Sequence, residues 1–211
     1  MMKRLVLILT LTLALAPSAF AAPPKPAHLT DADKADLDRI QAYLNGLKTE
    51  TAEFSQEDST GGQAHGKFYL SRPGKMRFEY DPPQQILMIA NGDFLVYYDK
   101  EMQETSHIPV DSTPVGFFLA DQISLSRDVT VTDFQRSPGV FRVSVRQTSN
   151  PDQGELTMVF SDHPLKLEQW TVLDAQRHTV KVALGEVTTG VPIDPKLFVF
   201  KDPKQSAYPD R

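Results

Sequence analysis

The sequence predicts a mainly β fold with a few helices: about eleven antiparallel strands, curled into a closed or partly open barrel that the helices plug or cap. Three observations predict it. After Leu47 the hydrophobic period changes from 3.6 to 2 and stays there through about eleven separate runs. Short turn signals, Pro73-Gly74 and Asn91-Gly92 among them, separate the runs. Only one long stretch, residues 31–47, has helical spacing. Twisted strands in that number must curl to hide a face.

The N-terminus comes first. Met1-Met2-Lys3-Arg4 precedes an uncharged run from Leu5 to Ala16, then Ala19-Phe20-Ala21. A basic head, a short apolar stretch and a small-x-small site predict a cleavable secretory signal peptide over 1–21. The run is shorter than the ~20 residues a membrane span needs. Cleavage after Ala21 leaves 190 of the 211 residues, with 20 basic and 27 acidic side chains, a net charge of −7. That balance argues against nucleic-acid binding and against adhesion to an anionic membrane. No cysteine is present, which excludes disulfides, thiol chemistry and a lipidated N-terminus of its own. A soluble, monomeric protein of the periplasm is expected.

Residues 22–29 are a Pro-rich lead-in, expected to be extended and mobile. Thr30 is placed as a helix N-cap, with Asp33 closing a capping box. Leu37, Ile40, Tyr43, Leu44 and Leu47 then share one face of an amphipathic helix over 31–47. Strands follow near 49–57, 65–71, 75–80, 85–90, 94–99 and 102–108. Asn91-Gly92 predicts a type I′ hairpin with positive φ at both positions. Residues 111–126 break the rhythm, and Pro114 suits the first turn of a short helix. Phe117, Phe118 and Leu119 cannot all point one way, so that helix should be buried. Strands resume near 127–134, 139–147, 154–161, 165–173 and 177–185. In 165–173, Leu165, Leu167, Gln169, Thr171 and Leu173 alternate with Lys166, Glu168, Trp170 and Val172. A last apolar run, 197–200, precedes a polar tail over 202–211. With no linker and no repeat, residues 30–201 are taken as one domain.

Catalytic signatures are missing. The histidines stand at 28, 65, 107, 163 and 178, without H-E-x-x-H spacing, so no metal site is expected. There is no G-x-S-x-G elbow, S-x-x-K motif or phosphate-cradling glycine loop. Asp31, Asp33 and Asp36 read as a solvated helix face, and Glu79 with Asp81 as exposed strand carboxylates rather than an acid/base pair. No enzyme activity and no cofactor are expected.

The signal that remains is apolar surface. Met76, Phe78 and Tyr80 share a face. Ile86 and Met88 oppose Leu87 and Ile89, while Phe94, Val96 and Tyr98 oppose Leu95 and Tyr97. Strands apolar on both faces are covered on both. Met76, Met88, Met102 and Met158 add adaptable surface. The pattern leaves a dry core and a ligand cavity both open. Arg72, between Leu70 and Pro73-Gly74, is either a solvated turn residue or a polar latch at a cavity rim, its five donors holding the carbonyls of a lid.

The segments GKFYLSRPGKMRFEYDPP, ILMIANGDFLVYYD and STPVGFFLAD, in this order after a signal peptide, a helix and Phe54-Ser55-Gln56, resemble the periplasmic outer-membrane lipoprotein carrier family, LolA. The resemblance spans nearly all of the mature chain. It implies an incomplete, unclosed antiparallel β-barrel of about 11 strands covered by an α-helical lid, with acyl chains held on the concave face. Arg72 matches the family's lid-binding arginine. Met76 and Phe78 match large apolar positions, Phe78 standing where tryptophan is frequent, and the segment from Pro114 to Ala120 matches part of the lid. With the face assignments, the expected cavity residues are Phe68, Leu70, Met76, Phe78, Ile86, Met88, Phe94, Val96, Phe117, Phe118, Leu119 and Trp170. The resemblance also implies acylated lipoproteins and an inner-membrane ABC-type lipoprotein-releasing complex as partners, and leaves open an outer-membrane lipoprotein receptor. A carrier of another lipid or hydrophobic molecule, and a periplasmic sensor or interaction module on the same fold, are the other readings.

Overall fold

The computed structural model describes residues 24–114 and 116–206; the expected signal peptide and the last five residues lie outside them. Helix α1 (Asp31–Gly46) starts at the capping box read from the sequence: the Thr30 side chain accepts from the Asp33 amide, and the Asp33 carboxylate accepts from the Thr30 amide. Leu37, Ile40, Leu44 and Leu47 are buried along its inner stripe, and Tyr43 is partly so.

Eleven strands follow: β1 (Thr49–Asp58), β2 (Gln63–Ser71), β3 (Lys75–Tyr80), β4 (Ile86–Asn91), β5 (Phe94–Asp99), β6 (Glu104–Pro109), β7 (Val129–Ser137), β8 (Val140–Gln147), β9 (Gly154–Ser161), β10 (Lys166–Asp174) and β11 (Thr179–Thr189). They form one antiparallel sheet in the order β6-β5-β4-β3-β2-β1-β11-β10-β9-β8-β7. Two meanders are thus joined where β1 pairs with β11. The outermost strands, β6 and β7, do not pair with each other, so the barrel stays unclosed. The chain between them crosses the gap.

That crossing differs from the α-helix expected at Pro114. It consists of two 3-10 turns, Val110–Ser112 and Gly116–Leu119. Three consecutive large apolar residues offer no 3.6-spaced stripe for an α-helix to bury. Short i→i+3 turns, such as the Ala120 amide on the Phe117 carbonyl at 3.1 Å, bury Phe117, Phe118 and Leu119 together.

Two other local expectations are corrected. The hairpin loop after β4 is Gly92-Asp93, shifted by one residue. Only Gly92 has positive φ (+111°), while Asn91 stays in the strand and its side chain accepts from the Phe94 amide at 3.0 Å. The lead-in is anchored at its end: the Ala27 amide donates to the Val131 carbonyl on edge strand β7 at 2.8 Å, and Ala27 and Leu29 pack on the core. The last apolar run, 197–200, belongs to an outer cover. A 3-10 turn, Pro195–Phe198, lies across the outside of β3 and β4.

That outer cover explains the strands apolar on both faces. Ile89 and Val96 pair directly on the outer face, and Tyr98 follows on it. All three are buried outside the main core. The Tyr98 ring meets Phe200 at 5.3 Å between centroids, and Arg77 Nη1 donates to the Leu197 carbonyl at 3.0 Å.

Candidate functional site: a lidded concave apolar wall

The concave face is built by alternation. Ala52 and Phe54 on β1, Ala64, Gly66, Phe68 and Leu70 on β2, and Met76, Phe78 and Tyr80 on β3 all point inward and are buried. Register extends the wall: Phe68 faces Phe78, and Phe78 faces Met88. Phe54, Phe68, Phe78 and Trp170 form a continuous aromatic floor, with ring centroids 4.9–6.2 Å apart in tilted and edge-on pairs. Phe118 closes on Trp170 from the lid side at 6.4 Å.

Trp170 reaches the floor through a β-bulge. Strict alternation would send Leu167 and Trp170 to opposite faces. Leu167 instead pairs with Phe160 and Trp170 with Met158, with Glu168 as the extra residue between Leu167 and Gln169. Both side chains therefore turn inward and are buried.

Of the expected cavity residues, Phe68, Leu70, Met76, Phe78, Phe117, Phe118, Leu119 and Trp170 belong to the buried core, and Ile86 and Met88 pack against it. Phe94 and Val96 do not belong there. Because Ala90 pairs with Leu95 and Met88 with Tyr97, the inward residues of β5 are Leu95 and Tyr97. Val96 is buried on the outer face against Ile89, while Phe94 is 41% exposed, its ring against His107 at 6.1 Å. An apolar residue on both faces left the phase of this strand undecided in the sequence, and the register with β4 decides it.

The lid has two parts. Asn45 on α1 clips them together, donating to the Ile123 carbonyl at 2.9 Å and accepting from its amide at 2.8 Å; the Leu125 amide donates to Gln41 Oε1 at 2.8 Å. Arg72 ties both parts to the barrel. Its Nη1 donates to the carbonyls of Leu44 and Leu47 at the end of α1, the latter at 3.3 Å. Its Nε and Nη2 donate to the Ala120 carbonyl, and Nη2 also to that of Asp121 at 3.4 Å. The neighbouring backbone adds two bonds: the Arg72 amide donates to Lys48 at 2.7 Å, and the Gly74 amide to Leu119 at 2.8 Å. Arg72 is only 6% exposed, and burial lowers its pKa from the ordinary arginine value against the opposing pull of Asp121. The helix end supplies partial negative charge to compensate.

A groove of about 860 Å³ opens at the seam between the edge strands. Phe94, Pro109 and Val110 stand on one side, Arg127, Asp128 and Gln147 on the other, and Phe117, Leu119 and Ala120 along the lid.

Glu50 was missed by the sequence reading. It is 1% exposed on the inner face of β1, and neither carboxyl oxygen has a hydrogen-bond partner among the described residues. Burial pushes its pKa up to about 7 against the attraction of Lys166. Its spacing from Ala52 and Phe54, two and four residues on, was the available signal. By contrast, the buried Tyr80 hydroxyl donates to Gln56 at 2.7 Å, and Ser144 shares a hydrogen with Thr157 at 2.8 Å. Glu79, considered as half of an acid/base pair, instead sits 3.2 Å from Arg77. Among the described residues no three His, Cys, Asp or Glu side chains gather as metal ligands, and no helix is long and apolar enough to cross a membrane.

The model of the family described as "Outer membrane lipoprotein carrier protein LolA" matches residues 45–201. The chain belongs to the LolA family. Its relatives include outer-membrane lipoprotein carrier proteins of Methylococcus capsulatus, 25% identical over 82% of this chain and 87% of that protein, and of Chromohalobacter salexigens, 24% identical over 90% and 93%. An uncharacterised protein of Rickettsia prowazekii is 25% identical over 83% of this chain and 81% of its own length. Among solved structures, a LolA superfamily protein from Nitrosomonas europaea aligns with a TM-score of 0.46 at 4% identity, over 77% of this chain and 97% of that one.

Proposed function

We propose that this LolA-family protein is a periplasmic carrier: it shields the acyl chains of lipoproteins in its concave cavity and ferries them from the inner to the outer membrane. The observation that carries this reading is Arg72, buried beside the aromatic wall with its side-chain donors on lid carbonyls alone. An arginine spent on backbone carbonyls of two lid segments fits a device that must release them.

Exposing one acyl chain to water costs on the order of 10 kcal/mol, at about 0.8 kcal/mol per CH₂. Spontaneous escape from a membrane is therefore negligibly slow. Loading needs an energised partner, an ABC-type lipoprotein-releasing complex of the inner membrane. Delivery needs the carrier to let go, to an outer-membrane lipoprotein receptor or to the membrane itself. The latch serves delivery: bonds re-formed by Arg72 on closing favour the empty state and lower net affinity for cargo. The wall offers Phe54, Phe68, Phe78 and Trp170 as flat apolar surface, with Met76 and Met88 adapting to chains of differing shape. No catalytic step is part of this reading, and a monomer suffices for it.

Mass spectrometry of the protein purified from the periplasm tests it. Bound acylated protein is expected. Free lipid alone would make it a carrier of another hydrophobic ligand, and a ligand-free protein under all loading conditions would overturn the carrier reading. In a reconstituted system, Arg72→Leu should accept lipoprotein and transfer it poorly; efficient onward transfer would remove the latch role.

A further inference from the structure

Glu50 has no task in the reading above. It sits in register with Leu70 of β2, two residues before Arg72, at the end of the wall where the lid is latched. Charged and titratable groups reach it from two elements. Lys166 on β10 attracts it, but the Lys166 ammonium is shared with Glu168 Oε1 at 3.7 Å. Tyr43 on α1 is the other; its hydroxyl accepts from the Leu167 amide at 3.1 Å and makes no hydrogen bond to Glu50. The Arg72 guanidinium is spent on the lid. The closed form therefore holds an unpaired acid at the head of an apolar wall. An apolar residue there would avoid the cost of burying it without a partner.

The lid that covers this acid is the part a ligand would displace. Displacement frees the Arg72 donors and uncovers Glu50 at the same end of the wall, with Leu70 and Phe68 running away from them. A ligand whose chains lie along that wall would place its head between a guanidinium and a carboxylate. We infer that Glu50 is a recognition site for a protonated primary amine carried next to the acyl chains of the ligand. A primary ammonium is compact and has three donors, enough to satisfy both carboxyl oxygens at once. An N-acylated nitrogen has no charge and a single N–H donor. The ammonium would also take over from the proton that keeps the buried acid neutral, so binding and ionisation of Glu50 are coupled. Two sources present this chemistry: the free α-amino group of a diacylated N-terminal cysteine, and the ethanolamine head of a phospholipid.

The inference rests on the carrier reading, and the experiment separates the two. The mature protein is titrated at pH 7 with four probes in mixed micelles, followed by Trp170 fluorescence. The probes are a dipalmitoylglyceryl-cysteinyl peptide with a free α-amine, its N-acetylated twin, dipalmitoyl phosphatidylethanolamine and its N-acetylated twin. The expected result is at least about tenfold tighter binding of a free-amine probe than of its twin, and equal binding of the twins by Glu50→Gln. Preference in the peptide pair assigns the amine to lipoprotein, and preference in the phospholipid pair to a headgroup. Equal binding of twins by the unaltered protein, or a preference that survives in Glu50→Gln and Glu50→Leu, overturns the inference and leaves the carrier reading standing. Failure to bind any of the four probes takes down both.

Discussion

The guanidinium of Arg72 donates to the carbonyl of Leu44, in the last turn of α1, from a strand end 28 residues further along the chain. Among the described residues the Leu44 carbonyl otherwise receives only a long bond from the Leu47 amide, 3.3 Å, so the guanidinium both completes the cap of α1 and pins the helix to the barrel. Removal by Arg72→Leu should leave the sheet intact while amide exchange speeds up at Leu47 and Gly74 and through residues 119–123. Arg72→Lys should restore only part of the protection, because one ammonium cannot span both lid segments. Unchanged lid exchange in Arg72→Leu would show that the backbone bonds of Arg72 and Gly74, with the Asn45 and Gln41 clips, hold the lid without the guanidinium.

Glu50 makes stability fall as pH rises. Its pKa in the folded protein, about 7, lies above the ordinary 4.5, so the folded state holds a proton that the unfolded state has lost. The associated stability is fully present below about pH 4.5 and is lost as pH climbs through 7. A shift of that size corresponds to roughly 3 kcal/mol. Urea unfolding at pH 5 and pH 8 should show Glu50→Gln losing less stability than the parent by an amount of that order. Parallel pH profiles for the two proteins would contradict it.

Trp170 is the only tryptophan of the chain, which makes the aromatic floor directly visible. Acyl chains brominated near their middle should quench its emission when they bind, and the same chains without bromine should not. Trp170→Ala should cost about 3–4 kcal/mol of stability, since the vacated floor between Phe68, Phe78 and Phe118 cannot collapse fully. Emission indifferent to brominated ligand would place the chains away from this wall.

The outer cover is structural and should be separable from ligand binding. Phe198 is 4% exposed outside the main core. Phe198→Ala should destabilise by about 3 kcal/mol in urea unfolding and leave the affinity for a bound acyl ligand within error. A large loss of affinity at unchanged stability would tie the C-terminal segment to the cavity.

Gly66 lies where β2 and β3 cross the floor most tightly. A β-carbon there would stand 2.1 Å from the Glu79 carbonyl oxygen and 2.9 Å from the Phe54 ring. Gly66→Ala should therefore cost about 2 kcal/mol or more, read as a lowered melting temperature. A neutral effect would mean that the two strands can separate locally without loss.

Much of the barrel was legible because its signals are local. Thr30 and Asp33 lie within one helical turn of each other, and their capping box follows from adjacent backbone amides. The alternation of Met76, Phe78 and Tyr80 follows from the pleat of a single strand. The eleven strands, their antiparallel order within each meander, the amphipathic helix and Arg72 as a residue with donors to spare are all of this kind. Tertiary structure alone decided what depends on partners far along the chain. The phase of β5, which puts Leu95 and Tyr97 inside and Phe94 and Val96 outside, comes from register with β4 and from a cover some 100 residues later. The inward turn of Trp170 comes from one extra residue against β9. The isolation of Glu50 comes from what the lid and the two neighbouring strands do not offer it. Period-2 patterning determines that a strand has two faces; which face is inside is an energy of burial against other elements, and it exists only once the chain has closed around them.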